Sequence, residues 1–266
     1  MRSTKGNTII RIISPDADKY RELPSALTPS SRKQELKALI DRARTEEVLI
    51  QYTSPSFTSP KLVAFDLDGT LIAGEFMHTI ATQGVNPEVE KELCCLTEEA
   101  LNGVEDWSDN YKRRVAFLEG LNVKVLENIY RSLPLAAGAD ELIAFLKSQG
   151  VKTAIISGAW SDYANYVARI TGIDHCFATS WELDSGCVTG RIIGPILSPE
   201  AKWKVLKKLA TEHNIAPDEI VVVADGYNDI EMMTQVGSSI LLHATAHHPL
   251  PLMNRVQEIL CKEITN

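Results

Sequence analysis

Four short runs of apolar, mostly β-branched residues punctuate the chain, and three of them end in residues that carry chemistry. Leu62-Val-Ala-Phe65 runs into Asp66, Val151–Ile156 into Ser157-Gly158, and Ile220–Ala224 into Asp225-Gly226; Ser239–Leu242 is the fourth. Continuous rather than alternating apolarity is the mark of strands buried on both faces. Between them the period changes to that of helices. Ala139–Ser148 places Leu142, Ile143, Phe145 and Leu146 on one side and stops at Gly150; Ser161–Thr171 stops at Gly172; Pro199–His213 carries Trp203, Leu206 and Leu209. Strands alternating with helices predict an α/β fold with a doubly wound, mostly parallel, Rossmann-like sheet.

One interval is too long for a simple crossover. From Gly74 to Pro134 no strand pattern occurs, whereas helices are predicted from Asn86-Pro87 to Asn102-Gly103, over Asp109–Glu119 and over Val123–Leu133. This predicts an all-helical cap inserted above the carboxyl edge of the sheet, with Gly74 and Leu133-Pro134 as its hinges. A hairpin is expected about Asp184-Ser-Gly186, flanked by Ala178–Leu183 and Cys187–Ile192. The first sixty residues differ again: a short strand over Asn7–Ser14, a helix over Ser31–Val48, and a linker over Thr53–Pro60. The expected organisation is an N-terminal appendage or arm with linker (1–60), an α/β core (61–74 and 134–243), the cap (75–133) and a helical tail (244–266).

Charge sharpens that division. Residues 1–60 hold 10 Lys/Arg against 7 Asp/Glu, while the whole 266-residue chain has a net charge of −8. A chain acidic overall is not built to attract nucleic acid or anionic lipid, so any phosphate must be held by local groups. No apolar run approaches the roughly 18 residues needed to cross a bilayer. The expected partner is therefore a small molecule, with neither nucleic acid nor membrane. The five cysteines show no metal-ligand or disulfide spacing, and residues 1–14 show no secretory pattern; a cytoplasmic location is expected. The six histidines form no ligand spacing and read as surface or core residues.

In an open α/β sheet ligands bind beyond the carboxyl ends of the strands. Asp66, Ser157-Gly158 and Asp225 are delivered there by three separate strands. In Asp66-Leu-Asp68-Gly-Thr70 two carboxylates stand where a strand opens into a turn; a plain turn is the bland alternative. A calcium loop is excluded, because the sixth and twelfth positions counted from Asp66 are Leu71 and Met77. Asp225-Gly-Tyr-Asn228-Asp229 is crowded with negative charge that a cation would relieve, with helix capping by Asn228 or Asp229 as the alternative. Lys202 lies in the first turn of a helix, where its charge opposes the helix dipole. It is either a solvated side chain or, turned inward, a counter-charge for a phosphoryl group. Trp107 and Trp160 read as core or site residues.

Taken together, Phe65-Asp66-Leu-Asp68-Gly-Thr70-Leu, Ser157-Gly158, Lys202 and Asp225-Gly-Tyr-Asn228-Asp229 resemble, in order and spacing, the haloacid dehalogenase-like superfamily, and within it the phosphoserine phosphatases. The resemblance spans about residues 61–243. It implies a Mg²⁺-dependent phosphomonoesterase in which Asp66 is the nucleophile and Asp68 the general acid and base. Asp66, Asp225 and the backbone carbonyl of Asp68 then hold the metal, and Ser157, Gly158 and Lys202 hold the phosphoryl group. Asn228 and Asp229 give support from behind. Glu75 falls where the family places the acid facing the substrate amine, Arg114 where it places the carboxylate clamp, and Leu101 and Trp107 where it lines the lid. The implied reaction is hydrolysis of O-phosphoserine; a phosphosugar or phosphoamine phosphatase, or a reused scaffold, are the alternatives. The sequence departs from the family's pattern at Ala159-Trp160 and Ala224, in its C-terminal end, and throughout the first sixty residues.

Overall fold

The computed structural model describes residues 8–13, 20–25, 29–46, 48–103, 106–243 and 252–265. A nine-stranded sheet runs through it in the order β2-β1-β3-β9-β8-β4-β5-β6-β7. Its strands are β1 (Thr8–Ile13), β2 (Tyr20–Ser25), β3 (Leu49–Thr53), β4 (Leu62–Phe65), β5 (Lys152–Trp160), β6 (His175–Asp184), β7 (Cys187–Ile193), β8 (Ile220–Ala224) and β9 (Ser238–Leu241). The run β9-β8-β4-β5-β6 is parallel, as expected of strands joined by helical crossovers. β4, β8 and β9 are buried along their whole lengths.

The two-residue period of the strands sorts the core into two layers. Val63, Phe65, Val221 and Val223 face one side, where α6 (Ala139–Ser148), α7 (Ser161–Thr171) and α10 (Leu252–Thr265) pack. Leu62, Ala64, Val222 and Ala224 face the other, where α1 (Pro29–Thr45), α8 (Pro199–Glu212) and the single turn α9 (Ile230–Met233) pack. The C-terminal helix α10 buries Leu252, Met253, Val256 and Leu260 in the first layer.

The N-terminal segment continues the sheet rather than hanging from it. β3 pairs antiparallel with β9, matching Ile50 to Leu241 and Tyr52 to Ser239, and β1 pairs with β3. Leu36, Leu39, Ile40 and Ala43 of α1 join the second core layer. The helix expected to reach Val48 ends at Thr45, and Leu49-Ile-Gln-Tyr-Thr53 forms a strand in the interval left unassigned between that helix and the expected linker, taking in the linker's first residue. The remaining stretch is pinned: Ser54 N donates to the Gly237 carbonyl at 2.8 Å and Thr58 N to that of Asp218 at 3.1 Å.

Between β4 and β5 the chain makes α2 (Phe76–Gly84), α3 (Pro87–Leu101), α4 (Trp107–Ala116) and α5 (Val123–Ser132) before α6. The strands of the insert's two connections touch: Ala73 N donates to the Pro134 carbonyl at 3.0 Å and Ala136 N to that of Leu71 at 2.8 Å. A third attachment is the β6–β7 hairpin. Its two-residue turn places Ser185 and Gly186 at φ of 50° and 80°, as a type I′ turn requires. Gly120 N donates to the Val188 carbonyl, Val188 N to that of Leu121 and Val123 N to that of Gly186.

Candidate active site

The strand ends and the insert enclose one cavity. Asp66, Asp68, Ser157, Gly158, Asp225 and Asn228 form its floor; Glu75, Leu101, Trp107 and Arg114 line it from the insert. Lys202 and Asp229 lie behind the floor, fully buried.

β4 carries Asp66 to the cavity, and its register is held where Asp66 N donates to the Val223 carbonyl at 3.0 Å. Gly69 then turns the chain at φ 66°, and a Cβ there would lie 2.5 Å from Asp225 Oδ2. Glycine at this position is needed both for the left-handed backbone and for the close approach of the second carboxylate. Asp66, Asp225 and Asp229 offer oxygens within 4.8 Å of one another. Three such carboxylates in a space where Asp66 and Asp225 are each only 4% exposed demand positive charge.

Lys202 supplies one charge. Its Nζ donates to Asp66 Oδ1 at 2.9 Å and to Asp229 Oδ1 at 2.7 Å. With its amide oriented to satisfy both neighbours, Asn228 accepts from the same Nζ at 3.0 Å and donates to Asp229 Oδ2 at 3.1 Å. Burial alone would depress the ammonium, but Asp229 and Asp66 outweigh it and hold Lys202 above the usual lysine range. The inward orientation, not the solvated one, is the one adopted. Helix capping by Asn228 or Asp229 does not occur: α9 has no side-chain cap, because these groups are engaged with Lys202.

Lys202 and the Arg44 guanidinium, 3.2 Å from Asp225 Oδ2, are two cations against three carboxylates. With the Gly69 notch against Asp225 and the oxygen-rich donors, the floor suits a hard divalent cation. Asp68 is a different kind of carboxyl. Burial, chiefly, and the charges of Asp66 and Asp225 push it up to about 7, against the opposing hydrogen bond that Tyr163 Oη donates to Oδ1 at 2.8 Å. A carboxyl poised there can both give and take a proton near neutrality.

The roof carries a carboxyl and a cation that do not meet. Arg114 is 7% exposed; its Nε donates to Asn110 Oδ1 at 2.9 Å, and its guanidinium lies 5.2 Å from the Tyr111 ring centre and 5.8 Å from that of Trp107. Among the described residues it makes no ion pair. Burial lowers its pKa, the mark of a cation short of counter-charge. Glu75 is held well above the usual carboxyl range by burial, then by Asp68, Asp225 and Asp66. Trp107 stacks on Tyr111 at 5.1 Å and closes over Gly158, whose added Cβ would meet Trp107 Cη2 at 2.6 Å. Trp160 is 1% exposed and stacks on Trp181 at 5.2 Å, so it belongs both to the core and to the cavity wall.

The model of the haloacid dehalogenase-like hydrolases matches residues 63–234. This chain belongs to that family. The hydrolase is similar to the phosphoserine phosphatase of Idiomarina loihiensis, with 37% identity over 186 residues, covering 70% of this chain and 83% of that protein. It is also similar to the phosphoserine phosphatase of Archaeoglobus fulgidus, with 35% identity over 199 residues and 74% of this chain covered; the match spans only 57% of that relative. A solved structure of a phospho-aspartyl intermediate analogue of phosphoserine phosphatase aligns with a TM-score of 0.63 at 32% identity, covering 68% of this chain and 85% of that one.

Three residues at the site were not singled out in the sequence. Tyr163, on α7, carried no signal beyond its place on an apolar helix face. His243, read as a surface or core histidine, has Nδ1 3.2 Å from Asp225 Oδ2; it follows β9, which lies beside the strand leading to Asp225. Arg44 reaches the same oxygen from α1, which lies outside the matched family model, so no motif pointed to it.

Proposed function

We propose that this hydrolase cleaves O-phosphoserine to serine and phosphate through an aspartyl-phosphate. The observation that carries the substrate assignment is the unpaired Glu75 and Arg114 facing one cavity above the acidic floor. A zwitterionic amino acid bearing a phosphate satisfies both: its ammonium favours ionised Glu75 and its carboxylate pairs with Arg114, whose buried charge costs several kcal/mol if left uncompensated. The names of the relatives support the same reading.

In the first step an Asp66 oxygen attacks phosphorus while the bond from phosphorus to the serine oxygen breaks. Asp68, protonated, gives its proton to the departing alkoxide. In the second step Asp68, now ionised, takes a proton from water as that water attacks the phosphorus of the aspartyl-phosphate, and the Asp66 carboxylate is released. Ser157 Oγ, the Gly158 N–H and the Lys202 ammonium hold the remaining phosphoryl oxygens. Asp66, Asp225 and the Asp68 carbonyl are the groups to hold Mg²⁺, which when bound compensates the negative charge of carboxylates and phosphate. Asn228 and Asp229 fix Lys202. A cytoplasmic setting accords with five cysteines that are all free thiols.

The test is a panel of phosphomonoesters with purified protein. Phosphoserine is expected to exceed phosphoethanolamine, which lacks the carboxylate, and phosphoglycolate, which lacks the amine, in kcat/KM. Arg114→Ala should raise KM for phosphoserine by about 10- to 100-fold, the worth of a charged hydrogen bond, and leave phosphoethanolamine nearly unchanged. Equal kcat/KM across the panel would overturn the substrate assignment, and turnover by Asp66→Asn would overturn the mechanism.

A further inference from the structure

We infer that Arg44, on the N-terminal helix α1, is a positioning residue of the active site, fixing Asp225 with one arm of its guanidinium and the end of cap helix α3 with the other. The inference rests on the metal-dependent reading above. Arg44 Nη2 lies 3.2 Å from Asp225 Oδ2, and Nη1 donates to the Leu101 carbonyl at 3.0 Å. Leu101 is the last residue of α3, where helix carbonyls lack internal partners and carry the negative end of the dipole. A planar guanidinium can serve both acceptors at once; an ammonium cannot hold the same fork.

The arm is anchored at its base. Ala43 is 3% exposed in the second core layer and Ile40 fully buried, while the guanidinium packs 5.9 Å from the Tyr227 ring centre. The Tyr227 hydroxyl donates in turn to Asp41, one turn back along α1. The Arg44 side chain is 19% exposed and the Asp225 side chain 3%. His243 Nδ1 approaches the same Oδ2 at 3.2 Å. Two nitrogens therefore converge on one oxygen of Asp225 and leave Oδ1 for another ligand. Residues 1–60, which lie outside the matched family model, thus supply a group that orients a metal-binding carboxylate.

The experiment uses the full chain, without substrate, titrated with Mg²⁺ by calorimetry and with Mn²⁺ by electron paramagnetic resonance. Arg44→Ala and Arg44→Gln are expected to weaken both ions by about 10- to 100-fold, the usual effect of losing a group that orients a metal ligand. Arg44→Lys should recover part of that loss, and added guanidinium ion should tighten metal binding by Arg44→Ala. Wild-type or tighter binding by Arg44→Ala overturns the inference, since Arg44 would then be a spectator or a competitor of the metal. Should Arg44→Ala not fold, Arg44→Gln and Arg44→Lys decide on the same terms. Asp225→Asn separates the two readings. If it binds metal like wild type, the metal assignment fails and the Arg44 role with it; if it loses the metal while the Arg44 variants keep it, the Arg44 role alone falls.

Discussion

Trp107 of the cap rests so closely on the backbone of Gly158 that no side chain fits between them: a Cβ on Gly158 would come within 2.6 Å of the indole. The cap's aromatic edge and the end of β5 are therefore complementary surfaces. Gly158→Ala is expected to push Trp107 outward and lower kcat/KM for phosphoserine on the order of 100-fold, since a displacement near 1 Å in a reacting site has that cost. Gly158→Ala combined with Trp107→Leu should regain part of the loss. A double variant no better than the single one would show that the steric contact is not the cause.

Lys202 is expected to matter to the fold as much as to the reaction. It separates Asp66 from Asp229 with no exposure to solvent. Removing one partner of a buried ion pair costs about 3–5 kcal/mol. Urea unfolding in the presence of a chelator should show a loss of that size for Lys202→Met, with much of it restored in Lys202→Met/Asp229→Asn. Equal stability of wild type and Lys202→Met would contradict the buried pair.

Far from the catalytic floor, Glu263 makes folding depend on pH. Burial is the main cause that pushes its carboxyl up to about 7, against the Gln51 amide that donates to it and the charge of Arg11. Between the ordinary value of 4.5 and about 7, the folded chain keeps a proton that the unfolded chain has released. Stability from this group is therefore lost as pH rises through that window, by on the order of 3 kcal/mol. Glu263→Gln keeps an acceptor for Gln51 and should be more stable than wild type at pH 8 but not at pH 4.5. Chemical denaturation at the two values measures this, and an unchanged difference between them would refute it.

Deleting residues 1–60 tests the continuity of the sheet. Ile240 and Leu241 on β9, fully buried here, would become an open strand edge, and the second core layer would lose Leu36, Leu39 and Ile40. Such an edge templates association between chains. Light scattering should show aggregation of the truncated protein; a monomeric, fully active product would disprove the structural role of this segment.

The candidate site positions at the strand ends were legible because each sits where an apolar run stops. Asp66, Ser157 and Asp225 needed only strand periodicity to place them on one edge. Lys202 was ambiguous for a physical reason: a lysine in a first helical turn is ordinarily solvated, and only the tertiary structure puts Asp66 and Asp229 around it. β3 was hidden because Val48 continues the helical pattern while Leu49–Thr53 alternates too briefly to declare itself. Arg44 and His243 were beyond reach, since their importance arises solely from the pairing of β3 with β9 and of β9 with β8. Capping stood as the alternative for Asn228 and Asp229 because Lys202, which they engage, is remote in sequence.

The hairpin of β6 and β7 changes how entry to the cavity must be pictured. With one pair of hydrogen bonds at Ala73 and Ala136 and another set at Gly120, Val123 and Val188, the insert is moored at separated points. To swing on Gly74 and Leu133-Pro134, such a body must first release the hairpin's hydrogen bonds at Gly120, Val123 and Val188. At its far corner the end of α3 and the start of α4 hold Leu101 and Trp107 against the Arg44 guanidinium and the Gly158 backbone, so two further contacts part whenever a ligand passes that side.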